Sequence, residues 1–213
     1  MRISPSVASS DLFHLEEETA FADQYFRQIH IDVEDGVTVP NITMGMPVCQ
    51  KICEKWNTSY RSVHLSVLDP MKYLERVKEC HADIVFLETD HLSDPVSVIK
   101  AYKDAGIPVG ISYSSKDREQ SEETVRELLK LSEQVVIVTN YIGDPQRRFQ
   151  YSMAEEGERI MKEYGIPVWL DGNVTYELWK ELQDRGFYAA VMGGAVYRDK
   201  ELALKQFVKD SQE

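Results

Sequence analysis

Eight times over, a short apolar, β-branched run is followed by an amphipathic stretch, and this repeat constrains the fold more than any single motif. The runs are Arg2–Val7, Phe26–Asp32, Tyr60–Leu65, Asp83–Leu87, Ile107–Ile111, Gln134–Thr139, Ile166–Leu170 and Phe187–Met192. Most lack strict polar alternation, as expected of strands covered on both faces. The stretches between them carry helix signals. Ser9, Ser10 or Asp11 caps a helix reaching about Tyr25, with Leu12, Leu15 and Ala22 on its inner face. Met46, Cys49, Ile52 and Cys53 form the apolar stripe of the next helix. Pro70 and Pro95 sit at helix starts, and Gly106, Gly165 and Gly186 follow helix ends. Strands alternating with helices imply a parallel sheet, and eight units close into a (β/α)8 TIM barrel. A doubly wound open sheet is the alternative.

The 213 residues suffice for one sizeable core, and no linker or composition break divides them, so residues 1–213 read as a single domain. The formal net charge is -12 with no basic block, which removes the main energy term of sequence-independent nucleic-acid binding. No apolar run approaches the ~18 residues of a membrane span. The N-terminal stretch lacks the apolar core of a signal peptide, so a cytoplasmic location is expected. Cys49, Cys53 and Cys80 are odd in number and form no CxxC pair; they read as three reduced thiols.

The stretch from Phe26 to Asn41, FRQIHIDVEDGVTVPN, begins as a strand and ends as a loop. His30 and Asp32 are two residues apart and share one strand face, while Ile29, Ile31 and Val33 share the other. His64 ends the run RSVHLSV, and Asp171 ends PVWLDGN. Two imidazoles and two carboxylates at the C-terminal ends of three strands sit where barrels place catalysis. His30, Asp32, His64 and Asp171 suit one divalent ion, and zinc, iron(II), manganese and cobalt all remain open. Gly172 and Asn173 follow the seventh strand. Gly193, Gly194 and Ala195, in Met192–Tyr197, follow the eighth. Barrels commonly build phosphate sites from these two loops and the N-terminus of a short helix.

With those residues placed, the chain resembles the ribulose-phosphate 3-epimerase family over nearly its whole length. ISPSVASSDL (Ile3–Leu12) is similar to the family's ISPSxLSxDF. HIDVEDGVTVPNITMGMPV (His30–Val48) is similar to HxDxMDGxFVPNxTxGPxV. VHLS (Val63–Ser66) parallels VHLM, LDGN (Leu170–Asn173) parallels VDGG, and MGGAVY (Met192–Tyr197) looks like the phosphate loop AGSAIF. The resemblance implies a metal-dependent enzyme inverting C3 of a ketose phosphate such as D-ribulose 5-phosphate, with xylulose 5-phosphate as product. It implies that His30, Asp32, His64 and Asp171 hold the metal. Asp32 and Asp171 would move the proton on opposite faces of a cis-enediolate, and Ser9 would contact substrate. A homo-oligomer is likewise implied by resemblance alone. The alternatives are an epimerase of the same family for another ketopentose or ketohexose phosphate, and a non-catalytic sugar-phosphate-binding relative.

The sequence also departs from the family pattern. Glu34 and Ser66 stand where methionines cap the family site, making the mouth more polar. The glycine-rich loop after strand six becomes Asn140–Arg148, where Arg147 and Arg148 are either a phosphate clamp or solvated charges at a helix start. Trp169 replaces a glutamate two residues before Asp171. His14 reads as an exposed, inert residue, and Trp56, Trp169 and Trp179 as packing residues, with Trp169 near enough to Asp171 to touch the site.

Overall fold

The computed structural model describes residues 1–140, 146 and 148–209. Eight strands form one sheet: β1 (Arg2–Pro5), β2 (Gln28–Glu34), β3 (Tyr60–Ser66), β4 (Ile84–Glu88), β5 (Val109–Tyr113), β6 (Val135–Val138), β7 (Val168–Asp171) and β8 (Ala189–Met192). Every neighbouring pair is parallel, in the order β1-β8-β7-β6-β5-β4-β3-β2. A parallel bridge from Ser6 to His30 joins the two ends of that order. The sheet is therefore a (β/α)8 barrel, and the open-sheet alternative is not what this sequence adopts.

The connecting helices are α1 (Leu15–Phe26), α2 (Met46–Lys55), α3 (Leu74–Cys80), α4 (Pro95–Asp104), α5 (Glu122–Leu131), α6 (Tyr151–Tyr164) and α7 (Tyr176–Leu182). After β8 come two short pieces, α8 (Gly194–Tyr197) and α9 (Lys200–Ala203), and a π-helical stretch Leu204–Lys209. Asp94, Ser121 and Thr175 each accept a hydrogen bond from a first-turn backbone N–H of α4, α5 and α7. Such caps contribute about 1 kcal/mol each. The first helix is more divided than its sequence suggests. Asp11 caps a single 3₁₀ turn, Leu12–His14, before α1 begins, and this leaves Leu12 half exposed instead of inside.

Residue parity on the strands builds two cores. Outward-pointing Ile29, Ile31, Val33, Val63 and Leu65 are buried beneath the helical layer. Inward-pointing Ile84, Phe86, Val136, Trp169, Ala189 and Val191 fill the barrel itself. Trp169 is fully buried there, with ring centroids of Tyr188, Phe86 and Tyr60 at 5.3, 5.4 and 6.0 Å. Its indole N–H donates to Gln134 Oε1 at 2.6 Å. The residue replacing the family glutamate is thus a plug in the barrel floor, and it lines neither cleft at the mouth described below. No helix among the described residues is long and apolar enough to cross a membrane.

Candidate active site

The inward parity that sends Trp169 and Phe86 into the floor sends His30, Asp32, His64, Glu88 and Asp171 to the upper end of the barrel. One ligand atom from each of His30, Asp32, His64 and Asp171 lies within 4.8 Å of every other. The structure therefore brings together the four residues picked out from three separate strands.

His30 is fully buried, and its Nδ1 lies 2.8 Å from Ser62 Oγ, the residue opposite it in the β2–β3 register. That contact turns Nε2 toward Asp32 Oδ1, 3.2 Å away, and leaves it with no hydrogen-bond partner. His64 Nδ1 sits between the two carboxylates, 3.6 Å from Asp32 Oδ1 and 3.7 Å from Asp171 Oδ2. Its Nε2 is also buried without a hydrogen bond and lies 3.9 Å from Glu88 Oε1. Ser6 Oγ donates to the other Asp32 oxygen at 2.5 Å.

The electrostatics follow from this crowding. Burial alone would raise the Asp32 carboxyl, but the His30 and His64 imidazoles outweigh it and hold Asp32 well below the usual carboxylate range. Burial alone would strip His64 of its proton; Asp171 and Asp32 outweigh that and hold the imidazole well above its ordinary value. The pocket is thus a concentrated negative field focused on a point between imidazole nitrogens. Glu34 is pushed up to about 7, first by burial and then by the Asp32 charge, although Asn41 donates to it at 2.7 Å.

Two adjoining clefts open here. One, of about 230 Å³, is lined by Asp32, Glu34, His64, Ser66 and Glu88. The other, of about 520 Å³, is lined by Gly172, Asn173, Gly193, Gly194, Ala195 and Arg198. Ser9, on the 3₁₀ turn Val7–Ser9, borders both, as do Asn140 and Asp171. Two glycines are required by this packing. A Cβ on Gly193 would lie 2.1 Å from Ser9 Oγ. Gly172 has φ +118°, and its Cβ would meet the Asn140 backbone nitrogen at 2.9 Å. The expected loops after β7 and β8 do meet, with α8 beginning at Gly194.

Four residues of the site escaped the sequence reading. Ser6 and Ser62 orient Asp32 and His30, Glu88 faces His64 and accepts from Ser66 Oγ at 3.0 Å, and Arg198 brings a cation to the larger cleft. Ser62 had one available signal, since it lies two residues before His64 on the same strand face. Arg147 lies outside the described residues. Arg148 is exposed, and the neighbouring Phe149 bridges back to Asn140. His14 is exposed on the first turn, paired with Asp11, and lines neither cleft.

A model of the Ribulose-phosphate 3 epimerase family matches residues 2–197. A ribulose-phosphate 3-epimerase of Helicobacter pylori is 26% identical over 213 residues, covering 96% of this chain and 95% of its own. One from Bacillus subtilis is 27% identical over 215 residues, covering 97% of each chain. Among solved structures, a phosphoribosyl anthranilate isomerase from Thermus thermophilus superposes with a TM-score of 0.69 at 13% identity, covering 100% of this chain and 99% of that one. That likeness concerns the barrel alone. The match from Arg2 to Tyr197 spans every strand that supplies a site residue, and the chain belongs to the ribulose-phosphate 3-epimerase family.

Proposed function

We propose that the protein is a metal-dependent epimerase that inverts C3 of a ketose phosphate, with D-ribulose 5-phosphate as the leading substrate. The observation that carries this reading is the convergence of Asp32 and Asp171, from β2 and β7, on His64 Nδ1 at 3.6 and 3.7 Å. Epimerisation at a carbon next to a ketone needs one base to remove a proton and one acid to return it from the opposite face. Two carboxylates from different strands, both reaching the same point, meet that requirement. In this mechanism one aspartate takes the C3 proton and the other protonates the planar cis-enediolate on its far face. Ser6, by donating to Asp32 Oδ2, aims the remaining oxygen of that carboxylate inward.

The ligand set fits a single divalent ion. The buried Nε2 of His30, without a hydrogen-bond partner, faces Asp32, and Ser62 on His30 Nδ1 sets the tautomer that frees it for coordination, while His64 offers Nδ1 between the two carboxylates. When bound, the ion would supply Lewis-acid polarisation of the substrate's ketone and hydroxyl oxygens. Imidazole and carboxylate donors suit zinc, iron(II), manganese or cobalt alike.

The larger cleft is the phosphate end. Backbone N–H groups of Gly172, Gly193, Gly194 and Ala195 can approach an anion closely, with Arg198 as the neighbouring cation. Asn173 and Ser9 would complete its polar lining. Glu34 and Ser66 favour a second reading, an epimerase of the same family for another ketopentose or ketohexose phosphate. Their carboxyl and hydroxyl groups line the smaller cleft and can meet additional substrate hydroxyls.

Turnover of a panel of ketopentose and ketohexose 5- and 6-phosphates, by protein freed of metal and then reloaded, tests both readings. Metal-restored turnover fastest with ribulose 5-phosphate is expected. Faster turnover of another ketose phosphate selects the second reading. No turnover of any member, with metal bound, would overturn both.

A further inference from the structure

The three cysteines that read separately in the sequence meet in space. Cys49 and Cys53 lie one turn apart on α2, and Cys80 is the last residue of α3. Their sulfurs all lie within 4.8 Å of one another, with Cys49 Sγ and Cys80 Sγ at 3.8 Å. All three are free thiols and are buried, at 0%, 1% and 3% exposure.

We infer that Cys49, Cys53 and Cys80 form a three-thiolate site for one soft monovalent d¹⁰ cation of the copper(I) class. Spacing, donor type and surroundings each support this. Metal–thiolate bonds of about 2.3 Å, spread in a trigonal plane, place the sulfurs about 4.0 Å apart. The Cys49–Cys80 separation of 3.8 Å is already close to that. Thiolates select soft ions, and copper(I) is at home with three of them in a trigonal plane. Closed structural zinc sites take four protein ligands, whereas the cluster among the described residues offers three sulfurs.

A guanidinium also stands beside the trio. The Arg61 side chain is buried, donates to the Cys53 carbonyl at 3.0 Å, and is anchored through Nε to Asp83 at 3.0 Å. Binding expels the thiol protons and places the cation between α2 and α3. These are the helices that follow the strands carrying His30, Asp32 and His64. The site would clip together the outer shell behind the candidate active site.

The test is an anaerobic titration of the full reduced chain with copper(I), supplied as its acetonitrile complex, against a competing copper(I) chelator. The expected result is one tightly held copper(I) per chain, a first shell of three sulfurs by X-ray absorption, and a raised Tm. The first shell separates this site from the histidine and aspartate cluster, which would give nitrogen and oxygen. Orienting groups around a metal already cost 10–100-fold when lost, so removing a ligand in Cys53→Ser should weaken retention by more than about 100-fold. If that variant fails to fold, the first shell and Tm of the unaltered chain still decide. Complete loss of copper to the chelator, a nitrogen or oxygen first shell, or recovery of a Cys49–Cys80 disulfide would each overturn the inference.

Discussion

The two ends of the barrel are built on the same strands with opposite chemistry. At the floor, Trp169, Phe86 and Ile84 pack against one another, and polar atoms such as the Trp169 indole are paired. Two residues further along the same strands stand Asp171 and Glu88, and His64 and Asp32 join them at the mouth. The floor is closely packed and its indole is partnered, and its exceptions are small neutral groups, Ser4 Oγ and Gln28 Oε1, buried without a hydrogen bond. The mouth departs further, collecting carboxylates and leaving two buried imidazole nitrogens without hydrogen bonds. One end holds the barrel together, and the other stores electrostatic frustration that a cation and an anionic substrate can relieve.

The sharpest way to break this comparison is to exchange one mouth carboxylate for its amide. Asp171→Asn keeps the shape and removes a base, so kcat should fall by about 10²–10⁴-fold while Tm stays close to that of the parent. A comparable loss of stability, measured by thermal melting, would make Asp171 a structural residue instead. The converse change is Trp169→Ala. It opens a cavity in the floor and should cost about 3–5 kcal/mol in denaturant unfolding, with metal content retained in the folded fraction. Metal loss without destabilisation would mean that floor and mouth are not separable.

Smaller effects sharpen the boundary. Ser62→Ala removes the hydroxyl that sets the His30 tautomer, and metal affinity should drop about 10–100-fold by competition with a chelator. An unchanged affinity would mean that the ring is oriented by packing alone. Glu34→Met restores an apolar cap beside Asp32. The ratio of kcat/KM between pentulose and hexulose phosphates should shift by about tenfold. A ratio that does not move would place Glu34 outside substrate contact.

The legibility of this chain followed the range of the interactions involved. The barrel could be read because covered parallel strands and amphipathic helices each imprint a local period. His30 with Asp32, His64 and Asp171 could be read because strand ends are local too. Leu12 was misjudged because a cap at Asp11 starts a 3₁₀ turn that changes which face points inward. Ser6 acts across strands on Asp32, which no local pattern records, and the role of Ser62 needs the inter-strand register that sets it opposite His30, beyond its place two residues before His64. The cysteine trio depends on how α2 packs on α3, so two residues on one helix and one on the next gave no signal in sequence.

The central claim is that Asp32 and Asp171 move a proton at C3. Its most direct test is deuterium incorporation at C3 of D-ribulose 5-phosphate in D₂O, followed by NMR with metal-loaded protein. The account predicts deuterium at C3 in step with xylulose 5-phosphate formation, abolished in both Asp32→Asn and Asp171→Asn. Epimerisation without solvent deuterium at C3, or exchange that persists in both variants, would contradict it.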